Sequence, residues 1–135
     1  MTPLLLVGAS LAGGAGAAAR FVVDGLVRSR SRRVPWLGTL TVNVAGTLLL
    51  GVVAGLAAGA GGGSDSPAHL LAVLVGTGFC GGFTTMSTAN VEVARLARDG
   101  RSREARIALA SMLALCLVAA TAGLAAGTAV GAALR

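Results

Sequence analysis

The residues best placed to do chemistry in this sequence carry no charge. From Gly76 to Glu92 the chain reads GTGFCGGFTTMSTANVE, with the adjacent pair Gly81 and Gly82 ahead of Thr84, Thr85, Ser87, Thr88 and Asn90. Glycine pairs weaken a helix. A helix broken at membrane depth exposes carbonyls that are tolerated only against protein or a polar cavity, and in transporters such breaks hold ions. Upstream, Thr39, Asn43 and Thr47 recur every four residues and so share one helix face. An asparagine inside a membrane must meet a partner or water. Ser111 adds a hydroxyl from a further segment. Neutral donors from three segments suit an anion that loses its hydration shell, because each donor replaces a departing water. Each feature also has a plain structural alternative: glycines for close packing, hydroxyls bonded back to the i−4 carbonyl, and Asn43 bonded across to a neighbouring helix. The glycine pair followed by five hydroxyl or amide residues favours an ion site.

Other chemistries lack their residues. There is one histidine, His69, and no convergent nucleophile and base, so no enzyme is expected. The acids are Asp24, Asp65, Glu92, Asp99 and Glu104, all near the ends of apolar runs or between them. A small proton-coupled multidrug exporter requires a membrane-embedded carboxylate, which argues against that alternative. Cys80 and Cys116 lie inside apolar runs without a CxxC spacing and read as small buried hydrophobes. The net charge of +6 comes with 3% aromatic residues and no tyrosine, so no base-stacking set exists and no nucleic-acid partner is expected.

The elements that must position these residues are apolar and long. The 135 residues are 55% hydrophobic and 12% charged, about half the charged share of a soluble domain. Four runs, at about 3–27, 34–60, 68–94 and 107–134, reach the ~20 residues that cross a bilayer. The expected fold is therefore all-α: a single polytopic domain of four transmembrane helices with the third one broken. Residues 1–19 lack the positive start of a signal peptide, and the apolar run continues beyond Arg20, so a retained first helix is expected. Nine of the 11 basic residues occupy two loops, Arg28, Arg30, Arg32 and Arg33 in one and Arg95, Arg98, Arg101, Arg103 and Arg106 in the other. The loop between helices 2 and 3 has no Arg or Lys and carries Asp65. The positive-inside rule then places both arginine loops in the cytoplasm and both termini outside. Gly51, Gly55 and Gly59, and again Gly123, Gly127 and Gly131, repeat every four residues, the small-residue spacing through which membrane helices approach closely. A helix bundle, and an oligomer of it, follows.

Three segments resemble one family. GGAGAAARF (residues 13–21), GTLTVNVAGTLLLG (38–51) and GFCGGFTTMSTANVE (78–92) are similar, in order, to helices 1, 2 and 3 of the Fluc/CrcB fluoride channels. The resemblance implies a bacterial plasma-membrane channel that exports fluoride by passive electrodiffusion. It also implies an antiparallel dimer with two fluoride pathways and a central structural sodium ion (Na+). Carried over by motif, the sodium would be held by backbone carbonyls at Gly81 and Thr84. Asn43, Met86, Ser87, Thr88 and Ser111 would line the ion pathway, and Arg20 matches the helix 1 arginine as a structural residue. The partners implied are fluoride, membrane lipid and a homologous subunit.

The sequence departs from that family where it matters most. The two helix 3 phenylalanines, whose positive ring edges face the anion, are replaced by Met86 and Ala89. Methionine is polarizable and able to fill the space of one ring; alanine is too small for the other. Phe79 and Phe83 stand on the far side of the expected break. A chain with strongly biased loops inserts one way and does not readily pair antiparallel with itself. The family includes paired, oppositely oriented homologues, and this chain reads as one half of such a heterodimer. A non-conducting structural or regulatory subunit is the second reading.

Overall fold

A computed structural model describes residues 2–31, 33–61 and 66–134. Arg32 and Asp65, named in the loop analysis, lie outside the described residues. Helix α1 spans Pro3–Arg30, with proline in the first turn and the Thr2 hydroxyl accepting from Leu5 N–H. Helix α2 spans Leu37–Ala60 and stops at Gly61, whose φ of 62° is left-handed. The third span is composite: α3 (Pro67–Leu71), a π-helical stretch (Ala72–Cys80), α4 (Gly81–Phe83), two extended residues, then α5 (Met86–Arg98). Helix α6 spans Ser102–Ala133. Among the described residues, four helical segments are long and apolar enough to cross a membrane: Pro3–Arg30, Leu37–Ala60, Pro67–Arg98 and Ser102–Ala133. The chain is a multi-pass membrane protein.

Three of the four spans run longer than the apolar runs that marked them, while α2 starts at Leu37, inside its run. α1 extends to Arg30, the third span to Arg98, and α6 starts at Ser102 rather than near residue 107. Arginine is a good helix former, so the helices continue as charged turns after hydropathy has ended. Basic residues in the last turns of α1 and α5 also face the negative ends of those helices.

The position of the break corrects the sequence reading. Gly81 and Gly82 are helical. The backbone opens at Thr84 (φ −83°, ψ 158°) and Thr85 (φ −152°, ψ 122°). Gly82 serves packing instead: a Cβ there would overlap the Gly13 carbonyl oxygen of α1. Gly81 is different again, since a Cβ there would meet nothing within 4 Å.

Glycine contacts hold the bundle together on two sides. Along α2 and α6, Gly51, Gly55 and Gly59 interleave with Gly123, Gly127 and Gly131, each backbone lying against a carbonyl of the other helix. α1 meets the third span through Gly16, against the Phe79 carbonyl, and through Gly78, against that of Ala9. In lipid, which offers no hydrophobic drive for helices to associate, such close approach supplies the dispersion energy. Large apolar side chains point outward instead, Leu4, Leu11, Phe21, Leu117 and Val118 among them.

The arginine-rich ends of α1 and α5 meet. Arg28 Nε donates to Asp24 Oδ2 at 2.8 Å, while its Nη2 reaches Glu92 Oε1 of α5 and Thr39 Oγ1 of α2 at 3.4 Å. Gly38 has no side chain because Asp24 Oδ1 occupies the space a Cβ would take. One guanidinium thus ties three spans together, with both carboxylates largely buried. Below it, Trp36 packs with Leu96, Ala105 and Ala108. Both arginine loops therefore sit at the same end of the bundle.

The two neighbouring glycines give opposite expectations. Gly82→Ala forces a methyl onto a backbone oxygen, an overpacking worth about 1–3 kcal/mol, and should lower the apparent Tm in detergent. Gly81→Ala adds a better helix former where the single chain leaves open space and should leave the Tm of the monomer unchanged or raise it. Equal losses from both substitutions would contradict this packing.

Candidate functional site: the break in the third span

The break is completed by a side chain from α2. Asn43 Nδ2 donates to the Thr85 carbonyl at 2.8 Å, and Asn43 Oδ1 accepts from Thr85 N–H at 2.7 Å. The amide stands in for a neighbouring strand and satisfies both polar groups of the residue that has left the helix. Its second N–H points at Met112 Sδ, 3.4 Å away on α6. Asn43 is 6% exposed. In this arrangement both its amide atoms are engaged, so it positions the break; the across-helix bond was the structural alternative that the sequence allowed.

Thr84 and Thr85 are extended because the helical ladder ends there. Thr84 N–H still bonds to the Cys80 carbonyl at 2.9 Å, and its hydroxyl bonds back to the same carbonyl. The next amide, Thr85 N–H, would serve the Gly81 carbonyl in a continuous helix; it is diverted to Asn43. The Thr85 hydroxyl then caps α5, accepting from Thr88 N–H at 3.4 Å. It also joins the Ser87 and Thr88 hydroxyls, each 3.2 Å away. Three hydroxyls thus gather at the first turn of α5. Thr47 uses its hydroxyl on the Asn43 carbonyl, the back-bonding expected of a helical threonine.

A cavity of about 240 Å³ opens beside the break, lined by Asn43, Thr47, Thr84, Thr85 and Met86 and, from α6, Met112, Leu113 and Cys116. Met86 is half exposed. Ser87 is exposed and Thr88 half-buried. Ser111 is half-buried and is not among the lining residues; its neighbour Met112 faces Asn43 instead. Sequence reasoning missed Met112 because a single methionine in an apolar run carries no polar signal. Ala89 is 4% exposed and packs against Leu40 and Met112. The space that a ring at position 89 would need is occupied by Met112. Phe79 and Phe83 stack with centroids 5.6 Å apart, on the α4 side of the break. Arg20 is half-buried on α1, and no ion pair involves it among the described residues.

No group of three His, Cys, Asp or Glu side chains converges among the described residues. For a hard cation, the fitting donors are carbonyls. The Gly81 carbonyl has lost its i+4 donor to Asn43, and Gly81 is exposed on the face of the chain, which suits a site shared with a second copy.

Four membrane-length helices, with one interrupted by an extended pair and repaired by an asparagine from its neighbour, define a multi-pass helical membrane protein with a discontinuous span. The chain belongs to the CrcB family: the family described as "CrcB-like protein, Camphor Resistance (CrcB)" matches residues 7–124. Among its relatives, "Fluoride-specific ion channel FluC 1" of Leifsonia xyli subsp. xyli is 46% identical over 92% of this chain and 87% of its own length. "Fluoride-specific ion channel FluC 2" of Cutibacterium acnes is 47% identical over 87% of this chain and 93% of its own. "Fluoride-specific ion channel FluC 2" of Mycolicibacterium paratuberculosis is 43% identical over 83% and 82%.

Replacing Asn43 by the similarly sized leucine strands Thr85 N–H and C=O away from water, at about 1–3 kcal/mol for each group. Asn43→Leu should therefore lower the Tm and speed hydrogen exchange at the Thr85 amide at least about tenfold, the factor that corresponds to 1.4 kcal/mol. Unchanged Thr85 exchange would show that the clamp does not hold the break.

Proposed function

We propose that this chain is a subunit of a fluoride channel in the bacterial plasma membrane, passing fluoride by electrodiffusion beside an oppositely oriented homologue. The observation that carries the reading is the broken third span clamped by Asn43, in a chain whose relatives are named fluoride-specific channels over most of their length. A small anion gives up water only where donors replace it. The hydroxyls of Thr85, Ser87 and Thr88, gathered at the positive end of α5, supply such donors. Met86, half exposed at the cavity, stands where the family places a ring, and Ser111 would add a hydroxyl from α6, one residue from the lining Met112. Asn43 serves this pathway by holding the break. Arg20 adds positive charge on α1, in a structural role.

The sodium ion of the reading would be held at the dimer axis by the Gly81 and Thr84 carbonyls, supplying a fixed positive charge that ties two copies together. The diverted Thr85 amide and the open space above Gly81 support this placement. Thr84 would take part through its carbonyl alone, because its hydroxyl is bonded to Cys80.

The heterodimer rests on charge. The arginine loops gather at one end of the bundle, which favours a single orientation with that end in the cytoplasm and both termini outside. The numbers 1 and 2 in the relatives' names fit a protein with a paired homologue. Burial of Ala89 under Met112 removes one ring from the pathway of this chain and leaves the partner to supply it.

Two measurements test the proposal. In a Cys80→Ser/Cys116→Ala background, Leu134→Cys should be labelled by an impermeant maleimide on intact cells and Arg30→Cys should be protected. The reverse pattern would overturn the orientation. Fluoride efflux from liposomes should be weak with the chain alone and rise at least about tenfold on co-reconstitution with an oppositely charged homologue. Robust efflux from the chain alone would remove the need for a partner, and none in either case would favour a non-conducting subunit.

A further inference from the structure

The sequence contains 3 Met and 2 Cys, and Met86, Met112 and Cys116 line the cavity of about 240 Å³ beside the break. Met112 and Cys116 stand four residues apart on α6 and so share a helix face. Met86 reaches the same space from the first turn of α5. Cys116 is a free, half-buried thiol. The Met112 sulfur accepts from an Asn43 N–H at 3.4 Å, a weak hydrogen bond for a thioether acceptor. The half-exposed Met86 is free to swing, as an unbranched side chain with three rotatable bonds. Two thioethers and a thiol thus line about 240 Å³ of open space.

We propose that this cavity is a binding site for a soft monovalent cation, Cu+ or Ag+, held by the sulfur atoms of Cys116, Met112 and Met86. Thiolate and thioether ligands select soft ions. A hard cation such as sodium prefers oxygen and has its own candidate donors at the carbonyls of the break. Charge decides between soft ions. Binding replaces the Cys116 S–H proton by the metal, so the proton leaves to solvent and the thiolate cancels the single positive charge. The product is neutral, as a site within the spans requires. A divalent ion on the same ligands would leave a buried net charge.

The probe is silver nitrate added to the full chain in chloride-free detergent buffer, with bound silver counted by mass spectrometry after desalting and proton release followed by a pH indicator. One Ag+ per chain and one proton per Ag+ are expected. Cys116→Ser, Met112→Leu and Met86→Leu should each weaken binding at least about tenfold, whereas Cys80→Ser, at a fully buried thiol outside the cavity, should retain it. The leucine variants preserve volume, and the same elution profile on gel filtration separates lost ligands from lost fold. Wild-type binding in both leucine variants would reduce the site to a lone thiol and overturn the proposal. Loss of binding in Cys80→Ser with retention in Cys116→Ser, or no silver bound at all, would overturn it as well.

Discussion

A backbone that leaves the helix inside a membrane must find partners for its amide and carbonyl, since lipid supplies none. In this chain that demand falls on Thr85, and one side chain, Asn43, meets both halves of it. The break can exist only while α2 holds Asn43 at that depth. The cavity, the cluster of hydroxyls at the start of α5 and the freed Gly81 carbonyl all follow from that one pairing. Each becomes available because the Thr85 backbone turns toward Asn43 and away from the helix axis.

The rest of the bundle fixes where Asn43 stands. The glycines of α2 and α6 set the separation of those helices to backbone contact, which leaves little room for α2 to slide or rotate. α1 fits against the third span just as closely through Gly82 and Gly16. At the arginine-rich end, Arg28 ties α1 to Glu92 on α5 and Thr39 on α2. Such a part-buried cluster is a weak source of net stability, and its worth lies in geometry. The cluster therefore specifies register: it fixes the end of α5, while the Asn43 clamp fixes its beginning.

Much of this was legible in the sequence, for reasons that differ by element. The four spans were marked by hydropathy, and close helix approach by two glycine ladders of equal spacing; that the ladders pair α2 with α6 is seen only in the structure. The shared face of Thr39, Asn43 and Thr47 followed from helical periodicity, and Thr39 and Asn43 are buried on it. The break was expected at the glycine pair and lies at Thr84 and Thr85, because glycine in a membrane helix serves close approach as readily as it disrupts. Gly82 shows the first use. The Arg28 cluster was not anticipated: Asp24 and Arg28 show the i, i+4 spacing of an ion pair, but Glu92 lies 64 residues from Arg28. Met112 escaped notice for the same reason. Long-range packing brings an apolar side chain to Asn43, and nothing local announces it.

The central claim is that Asn43 completes the backbone of an extended Thr85. Solid-state NMR of the chain in lipid, with ¹⁵N in the Asn43 side chain and ¹³C in the Thr85 carbonyl, tests it most directly. The account predicts a through-space correlation consistent with the 2.8 Å hydrogen bond from Asn43 Nδ2 to Thr85 O, together with extended-region ¹³C shifts at Thr84 and Thr85. Helical shifts at both threonines, with no correlation to Asn43, would contradict it.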